Sequence, residues 1–346
     1  MKLKKSLLLV FLPAVLIISC CSSENAIQEV IGRSATAPVF LDCRAVSGTE
    51  ILFRFSRPVR MVSLFLDAGP EVISCEEGEE ILVTLSEPLG VGVKITADIL
   101  VEDENRNTLN VLVPFRSRND RIPALLINEI RTEGANVSNA VTAKTEFVEF
   151  VAKSAGNLGA LQVFIAGYSA DNPVYEFPPV EVKAGEYIVL HLRTPSPDCA
   201  DETADNLAFS GGNEALPSAR DFWIPGSQKL IHKDDVVCLL DQDEKIVDVV
   251  FLSTTSGSSW SKTAFSDFAR IAAEQGAWFP NGSSAKVPGT YALAPSDAVS
   301  SGSTTTTRTI CRDESLAAGG SADCWYITAS SSATPGTANS VKRFVP

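Results

Sequence analysis

Residues 51–56 read Ile-Leu-Phe-Arg-Phe-Ser, and the side chains of Ile51, Phe53 and Phe55 share one face. This period of two is typical of a β-strand with one buried face. Similar apolar runs follow at regular spacing and stop at turn-forming residues: 62–66, 81–85, 94–101 and 108–115. About seven such strands predict an immunoglobulin-like β-sandwich over residues 37–121.

This first predicted domain resembles the bacterial immunoglobulin-like modules of envelope proteins, on phrases such as residues 51–59. The polar run 103–107 predicts a hairpin loop between two of its strands. Residues 116–123 follow the domain and contain three arginines. This polar stretch predicts a solvated linker to a second domain.

A second series of apolar runs fills the rest of the chain. Four of its segments are Leu-Ile-Asn-Glu-Ile at 126–130, Glu-Phe-Val-Glu-Phe at 146–150, Gly-Glu-Tyr-Ile at 185–188 and Thr-Pro-Gly-Thr-Ala-Asn at 334–339. In this order they resemble the motifs of the lamin-tail domain family. The resemblance implies a second, larger immunoglobulin-like β-sandwich over residues 122–342.

The chain departs from that family in two long insertions, at 191–234 and 253–303. In the second insertion, apolar residues at i, i+3 and i+4 spacing from Phe265 predict one short helix that Gly276 ends. The Ser/Thr-rich stretch 330–334 predicts a mobile loop. The expected fold is therefore all-β, with two tandem immunoglobulin-like β-sandwiches, of which the second carries long insertions and one short helix.

The composition of the chain argues against several classes of function. The chain has 346 residues and a net charge of −13, with 29 Lys plus Arg against 42 Asp plus Glu. So acidic a chain is a poor match for nucleic acid, which needs clustered Lys and Arg. It contains only two histidines, which argues against His-rich zinc sites and a Ser-His-Asp hydrolase.

The first residues predict an export signal. Three lysines within residues 2–5 precede an apolar run of about 12 residues, too short for a comfortable membrane span of ~20. Residues 17–20 (Ile-Ile-Ser-Cys) resemble the lipobox of bacterial lipoproteins. The resemblance implies cleavage of signal peptide 1–19, diacylglyceryl attachment to the Cys20 sulfur and a polar tether over 20–36. Cys21 is a weaker alternative, and an ordinary secretory signal would leave Cys20 incidental.

Six further cysteines in an exported chain permit disulfides. Proximity in the chain favours the pairs Cys43–Cys75 and Cys311–Cys324. Cys238 lies in an apolar run, so it is either paired with Cys199 or a plain buried thiol. The chain has no C-x-x-C motif, so neither a four-cysteine zinc site nor a redox centre is expected.

Few residues suggest chemistry. Glu129 and Glu149 lie on the two strands that open the second domain, where paired carboxylates could bind a cation or serve acid–base catalysis. Strand carboxylates that cap backbone amides are the commoner alternative. Residues 241–245 begin like a calcium loop but lack its later ligands, which favours a charged hairpin turn.

Trp260 and Trp278 lie in the second insertion, where exposed aromatic side chains could hold a sugar or a protein. The alternative is that they anchor their loop to the domain core. The inserted loops 201–220 and 260–291 are the expected recognition surface, because loops on a rigid sandwich commonly carry binding.

The sequence therefore predicts a lipid-anchored lipoprotein of the cell envelope, held at the outer membrane with a periplasmic or surface face. We expect a non-catalytic binding or scaffolding role, without metal or cofactor. The expected partners are the membrane, through the lipid, and a protein or glycan ligand, but no nucleic acid. Two alternatives are an accessory module of a secreted hydrolase and a metal-dependent hydrolase built on Glu129 and Glu149.

Overall fold

The computed structural model describes residues 36–282, 287–316 and 320–346. The predicted signal peptide, Cys20 and the tether up to residue 35 lie outside these residues. The chain divides into two compact units, and it passes from the first to the second between Ser117 and Arg118. Unit 1 extends to residue 90 and includes 94–117, whereas unit 2 comprises 91–93 and everything from 118 onward. The predicted fold class is confirmed: the described chain is all-β with one α-helix.

Unit 1 is a six-stranded antiparallel sheet in the order β3-β4-β2-β5-β6, with β1 also paired to β2. Its strands are β1 (Phe40–Ala45), β2 (Glu50–Leu66), β3 (Val72–Cys75), β4 (Gly78–Leu85), β5 (Lys94–Asp103) and β6 (Thr108–Arg116). Alternate side chains of β2, β4 and β5 are fully buried, among them Phe53, Ile81 and Ile99. The predicted hairpin loop is confirmed, because Asp103 ends β5 and its carboxylate accepts the backbone N–H of Asn107.

Unit 1 has six strands rather than about seven, because two predicted strands form one. The segments 51–56 and 62–66 belong to β2, which runs unbroken through Pro58. The pairing register shifts between Arg54 and Val59, and such bulges accommodate a proline that cannot donate to the sheet. The first half of β2 pairs with β4 and the second half with β5.

Unit 2 contains a six-stranded sheet, β14-β13-β8-β7-β18-β19, a five-stranded sheet, β11-β10-β15-β16-β17, and the two-stranded ribbon β12-β9. The strands are β7 (Leu125–Arg131), β8 (Phe147–Ala152), β9 (Gly156–Asn157), β10 (Gln162–Ile165), β11 (Tyr175–Glu176), β12 (Glu181–Val182), β13 (Tyr187–His191), β14 (Ala219–Trp223), β15 (Asp235–Leu240), β16 (Ile246–Ser253), β17 (Val299–Ser300), β18 (Ile310–Arg312) and β19 (Trp325–Ile327). One continuous apolar core unites residues of both large sheets, including Phe150, Phe222 and Phe251.

The two long insertions are crossover connections. One joins β13 to β14 and the other joins β16 to β17, and these two pairs are parallel. A parallel pair needs a connection of a dozen or more residues, because the chain must return to the end at which it started. The second crossover contains the predicted helix, α1 (Thr263–Gln275), whose C-cap is Gly276 in the left-handed conformation. Phe265, Phe268 and three alanines of α1 are buried in the core.

The stretch predicted as a solvated linker belongs to unit 2 from Arg118 onward, and that prediction is wrong there. Asn119 is buried and its amide donates to the carbonyls of Asn157 and Gly159. Arg118 pairs with Asp243, and Arg121 with Glu181. The arginines therefore attach the entry segment to its own unit rather than remaining free in a hinge.

The expected disulfides are absent, because all six described cysteines are free thiols. Cys43 on β1 and Cys75 on β3 are separated by β2 and β4. Three strand spacings amount to about 14 Å, well beyond the ~4.4–6.8 Å between the Cα atoms of a disulfide. Cys311 lies opposite Tyr326 rather than Cys324. Cys238 is a fully buried thiol, and burial raises its pKa above the usual thiol value.

Among the described residues, no helix has both the length and the apolar character that crossing a membrane would require.

Candidate functional site

The two predicted carboxylates meet in the six-stranded sheet. Glu129 on β7 lies directly opposite Glu149 on β8, and both side chains are fully buried. The pairing register shifts between Ile127 and Glu129, so Asn128 is the additional residue of a bulge. Its amide donates to Glu149 Oε1 at 2.9 Å. A bulge commonly re-aims a side chain in this way.

A C-terminal segment covers this pair. We call residues 334–339 the C-terminal clasp. The backbone N–H and hydroxyl of Thr334 donate to Glu129 at 3.1 Å, and the N–H of Gly336 donates to Glu149 at 2.6 Å. Asn339 ends the clasp by donating to the carbonyls of Asn128 and Arg312. Residues 330–334, predicted as a mobile loop, thus include a residue that is hydrogen-bonded to a buried carboxylate.

Burial raises the pKa of both carboxyl groups, and the Glu129 charge raises the pKa of Glu149 further. Raised pKa values often mark catalytic acids, but neither carboxylate here has any exposed surface. Their oxygens accept hydrogen bonds from the clasp, from Asn128 and from Thr309. The pair therefore anchors the C-terminal segment, as in the alternative in which strand carboxylates cap backbone amides.

His191 forms a second buried polar network, which no local sequence pattern reveals. Its Nδ1 lies 3.0 Å from Thr145 Oγ1, and its Nε2 lies 2.8 Å from Asp221 Oδ1. The Trp223 ring stacks on the imidazole, with centroids 3.7 Å apart. His191, Thr145 and Asp221 are all buried, so this network ties the segment before β8 to β13 and β14 rather than facing a substrate.

The first crossover is held firmly against the sheet. Glu202 is 1% exposed, and its carboxylate accepts the N–H groups of Phe209, Ser210 and Asp221. Arg220 donates to Glu186 and to the carbonyls of Glu202 and Ala204. Buried charges with several fixed partners favour one loop conformation over others. The first crossover is thus a rigid part of the surface of unit 2.

An open cleft of about 600 Å³ lies where this crossover leaves β13, beside the end of β14. We call it the Trp223 cleft; it is lined by Thr194, Pro195, Ser196, Pro197, Cys199, Asp201, Trp223, Pro225 and Gly226. Its volume falls within the ~300–1,000 Å³ typical of ligand sites. Asp201 is held by the Tyr175 hydroxyl at 2.6 Å and the Trp223 backbone N–H at 2.7 Å. Three prolines restrict the backbone of its walls.

The structure corrects the exposure expected for the two inserted tryptophans. Trp278 is fully buried in the core, and its indole N–H donates to the Asp297 carbonyl at 2.9 Å. Its ring packs on Phe251, so it anchors the second crossover and offers no surface to a ligand. Trp260 is half-buried against the same core but borders a small recess. The two side chains therefore differ in role, although both belong to Gly/Ser-rich sequence.

Other sequence expectations can be placed as well. Residues 241–245 form the turn between β15 and β16, in which Asp241 accepts the N–H groups of Asp243 and Lys245. This confirms the hairpin turn. No three acidic, His or Cys side chains group into a metal site in the part of the chain that the structure describes. Cys20 lies outside that part.

A comparison with known protein families assigns unit 2 to one of them. A protein-family model described as "protein second domain" matches residues 123–327, which is more than half of the chain. The chain belongs to this second-domain family. The match begins just before β7 and ends with β19, so the family covers both large sheets and both crossovers.

A relative of this chain comes from Treponema pallidum (strain Nichols), where it is called "Uncharacterized protein". It is 28% identical over 200 residues, which are 54% of this chain and 48% of the relative. The chain thus spans about half the length of this relative. Among solved structures, an L,D-transpeptidase from Mycobacterium smegmatis aligns at 11% identity, over 45% of this chain and 81% of that one. Its TM-score of 0.15 carries no argument about fold or activity.

The Trp223 cleft was only partly predicted. Asp201 begins the loop expected to recognise a partner, but residues 194–197, Trp223 and Pro225 were not singled out. A usable signal existed, because Thr-Pro-Ser-Pro at 194–197 places two prolines directly after a strand. The pairing of β13 with β14 brings Trp223 beside that segment, and no local sequence pattern reveals such a parallel pair.

Proposed function

We propose that this chain is a lipid-anchored lipoprotein of the bacterial cell envelope, whose second unit is a lamin-tail-like domain with a non-catalytic binding role. The observation that carries the binding role is the Trp223 cleft. It is concave, it is walled by a rigid crossover, and its aspartate is already oriented by two internal hydrogen bonds. Such preorganisation lowers the entropic cost of binding.

Two observations favour binding over hydrolysis. Glu129 and Glu149, the carboxylates of the hydrolase alternative, are fully buried beneath the C-terminal clasp. The Trp223 cleft contains one carboxylate, Asp201, and no histidine or lysine among its lining residues. General acid–base catalysis normally requires a titratable group that is free to exchange a proton with the substrate, whereas Asp201 is already held by the Tyr175 hydroxyl and the Trp223 N–H. The cleft therefore suits recognition by shape and by hydrogen bonding.

The anchor rests on the first 20 residues, and its test is metabolic labelling with radioactive palmitate. Wild-type protein will take up label and sediment with membranes, because the Cys20 sulfur receives the lipid. The Cys20→Ala variant will lose both properties, whereas the matched Cys21→Ala variant will keep both. Labelling that survives Cys20→Ala but is lost with Cys21→Ala would move the anchor to Cys21, and unlabelled wild type would mean an ordinary secretory signal.

The cleft is tested by site-specific photocrosslinking in the cells that produce the protein. A photoreactive residue at Ser196, in the cleft wall, will give one discrete adduct, because a bound partner lies within bonding distance. The same residue at Asp267, exposed on α1, will give none. Equal adducts at both positions, or none at Ser196, would contradict binding at the Trp223 cleft. Mass spectrometry of the adduct then separates a protein from a glycan.

A further inference from the structure

A second, smaller recess lies on unit 2 beside the start of α1. Its volume is about 130 Å³, and its lining includes Asp234, Thr254, Ser259, Trp260, Ser261 and Phe265. We call it the Trp260 recess. It shares no lining residue with the Trp223 cleft. Its volume lies below the ~300 Å³ at which sites for drug-sized ligands begin, so it suits one small ring or terminal group.

The aromatic wall of the recess is immobilised. The indole N–H of Trp260 donates to the Leu293 carbonyl at 2.9 Å. The ring contacts Phe251 and stands at 82° to Phe265, with centroids 5.5 and 6.4 Å away. Trp260 is nevertheless only half-buried and lines the recess. A fixed, accessible aromatic ring offers apolar contact area at little conformational cost.

The polar wall combines an oriented acceptor with free hydroxyl groups. Asp234 accepts the N–H of Thr254 at 2.7 Å, the Thr254 hydroxyl at 2.8 Å and the Ser253 hydroxyl at 3.3 Å. A carboxylate has about four acceptor positions, so Asp234 retains about one for a ligand. The hydroxyls of Ser259 and Ser261, on either side of Trp260, are exposed and make no hydrogen bond to any residue that the structure describes.

This combination selects a class of ligand. A phosphate or another anion would meet the charge of Asp234 at close range and be repelled. A purely apolar group would leave Asp234 and both serine hydroxyls without partners, which is unfavourable. A pyranose ring satisfies both walls, because its C–H face can lie on the indole while its hydroxyl groups donate to the carboxylate and exchange hydrogen bonds with the serines.

We propose that the Trp260 recess binds a single uncharged pyranose residue at the end of a glycan. This site is independent of the Trp223 cleft, and its occupation does not depend on the lipid anchor. The recess holds the sugar between the Trp260 ring and the carboxylate of Asp234, and the two serines select among hydroxyl configurations.

The test uses the full chain and an array of neutral hexose and N-acetylhexosamine oligosaccharides. Wild type will bind at least one of them. In titration followed by saturation-transfer NMR, Trp260→Ala will weaken binding of that oligosaccharide by at least tenfold, since the stacked ring is lost. The matched control Asp267→Ala, exposed on α1 and outside both sites, will leave the affinity unchanged.

Trp260→Ala also removes packing on the core, so a second variant is needed to separate a loss of binding from a loss of folding. The double variant Ser259→Ala, Ser261→Ala changes only exposed hydroxyls and will keep the wild-type thermal transition, while binding falls about tenfold. Absence of any bound oligosaccharide at millimolar concentration overturns the proposal. Unchanged binding in both Trp260→Ala and the double serine variant also overturns the proposal, because the sugar would then lie elsewhere on the chain.

Discussion

The Arg312→Met variant will unfold with a free energy about 3–5 kcal/mol below that of wild type. Arg312 on β18 is buried, pairs with Asp248 on β16 and donates to the Ile127 carbonyl on β7 at 2.7 Å. It thereby joins the two large sheets of unit 2 by an ion pair. Its removal leaves Asp248 as an uncompensated buried charge, while methionine preserves much of the packing against Trp325.

Denaturant unfolding followed by tryptophan fluorescence measures this effect. All four tryptophans lie in unit 2, so the signal reports that unit alone and the unfolding of unit 1 does not interfere. The matched control is Arg270→Met, which removes an exposed i,i+4 pair with Glu274. Exposed pairs contribute about 0–1 kcal/mol. A loss below 1 kcal/mol for Arg312→Met would mean that the ion pair does not hold the sheets together.

The Gly336→Val variant will lose about 3–4 kcal/mol and release the C-terminal clasp. Gly336 has a φ of 81°, and a left-handed conformation costs an L-residue about 1–2 kcal/mol. An added Cβ would also approach the Ala219 Cβ to 2.9 Å, and such overpacking costs about 1–3 kcal/mol. Movement away from Ala219 would break the bond from the Gly336 N–H to Glu149.

The Gly289→Val variant separates the cost of the left-handed backbone from the cost of close packing. Gly289 has a similar φ of 75°, but an added Cβ there meets no atom within 4 Å. This control will show the backbone penalty alone, about 1–2 kcal/mol. In hydrogen exchange, the amide of Thr334 will lose protection in Gly336→Val and keep it in Gly289→Val. If both variants lose the same stability, close packing of the clasp against β14 is not what holds it.

Local patterns in the sequence predicted much of the fold. The alternation at Ile51, Phe53 and Phe55 identified β2 because one face of the strand is buried. The spacing from Phe265 to Gly276 identified α1 because the helix buries one stripe and ends in a left-handed glycine. The predicted strands 51–56 and 62–66 are one strand in the structure, since Pro58 lies within a register shift and does not interrupt β2.

The sites depend on contacts between distant parts of the chain. Glu129 and Glu149 could be placed on neighbouring strands, but not beneath a segment almost 200 residues later in the sequence. Trp278 could not be assigned to ligand contact or to loop anchoring, because its Gly- and Ser-rich neighbours describe the loop and not where the loop returns. The Trp223 cleft depends on a parallel strand pair, whose register is fixed by packing across the whole unit.

The crossover connections determine where the sequence of unit 2 can change without loss of the fold. Each crossover leaves the end of one strand and re-enters the same sheet at the start of its neighbour, so its two ends are held at fixed positions whatever lies between them. Doubling the length of such a closed segment costs only about 0.6 kcal/mol in chain entropy. Mutation can therefore lengthen or rewrite the exposed parts of either crossover without disturbing sheet register, provided that anchors such as Glu202 and Trp278 are retained. Surface segments of this unit can thus be replaced while its frame of strands stays unchanged.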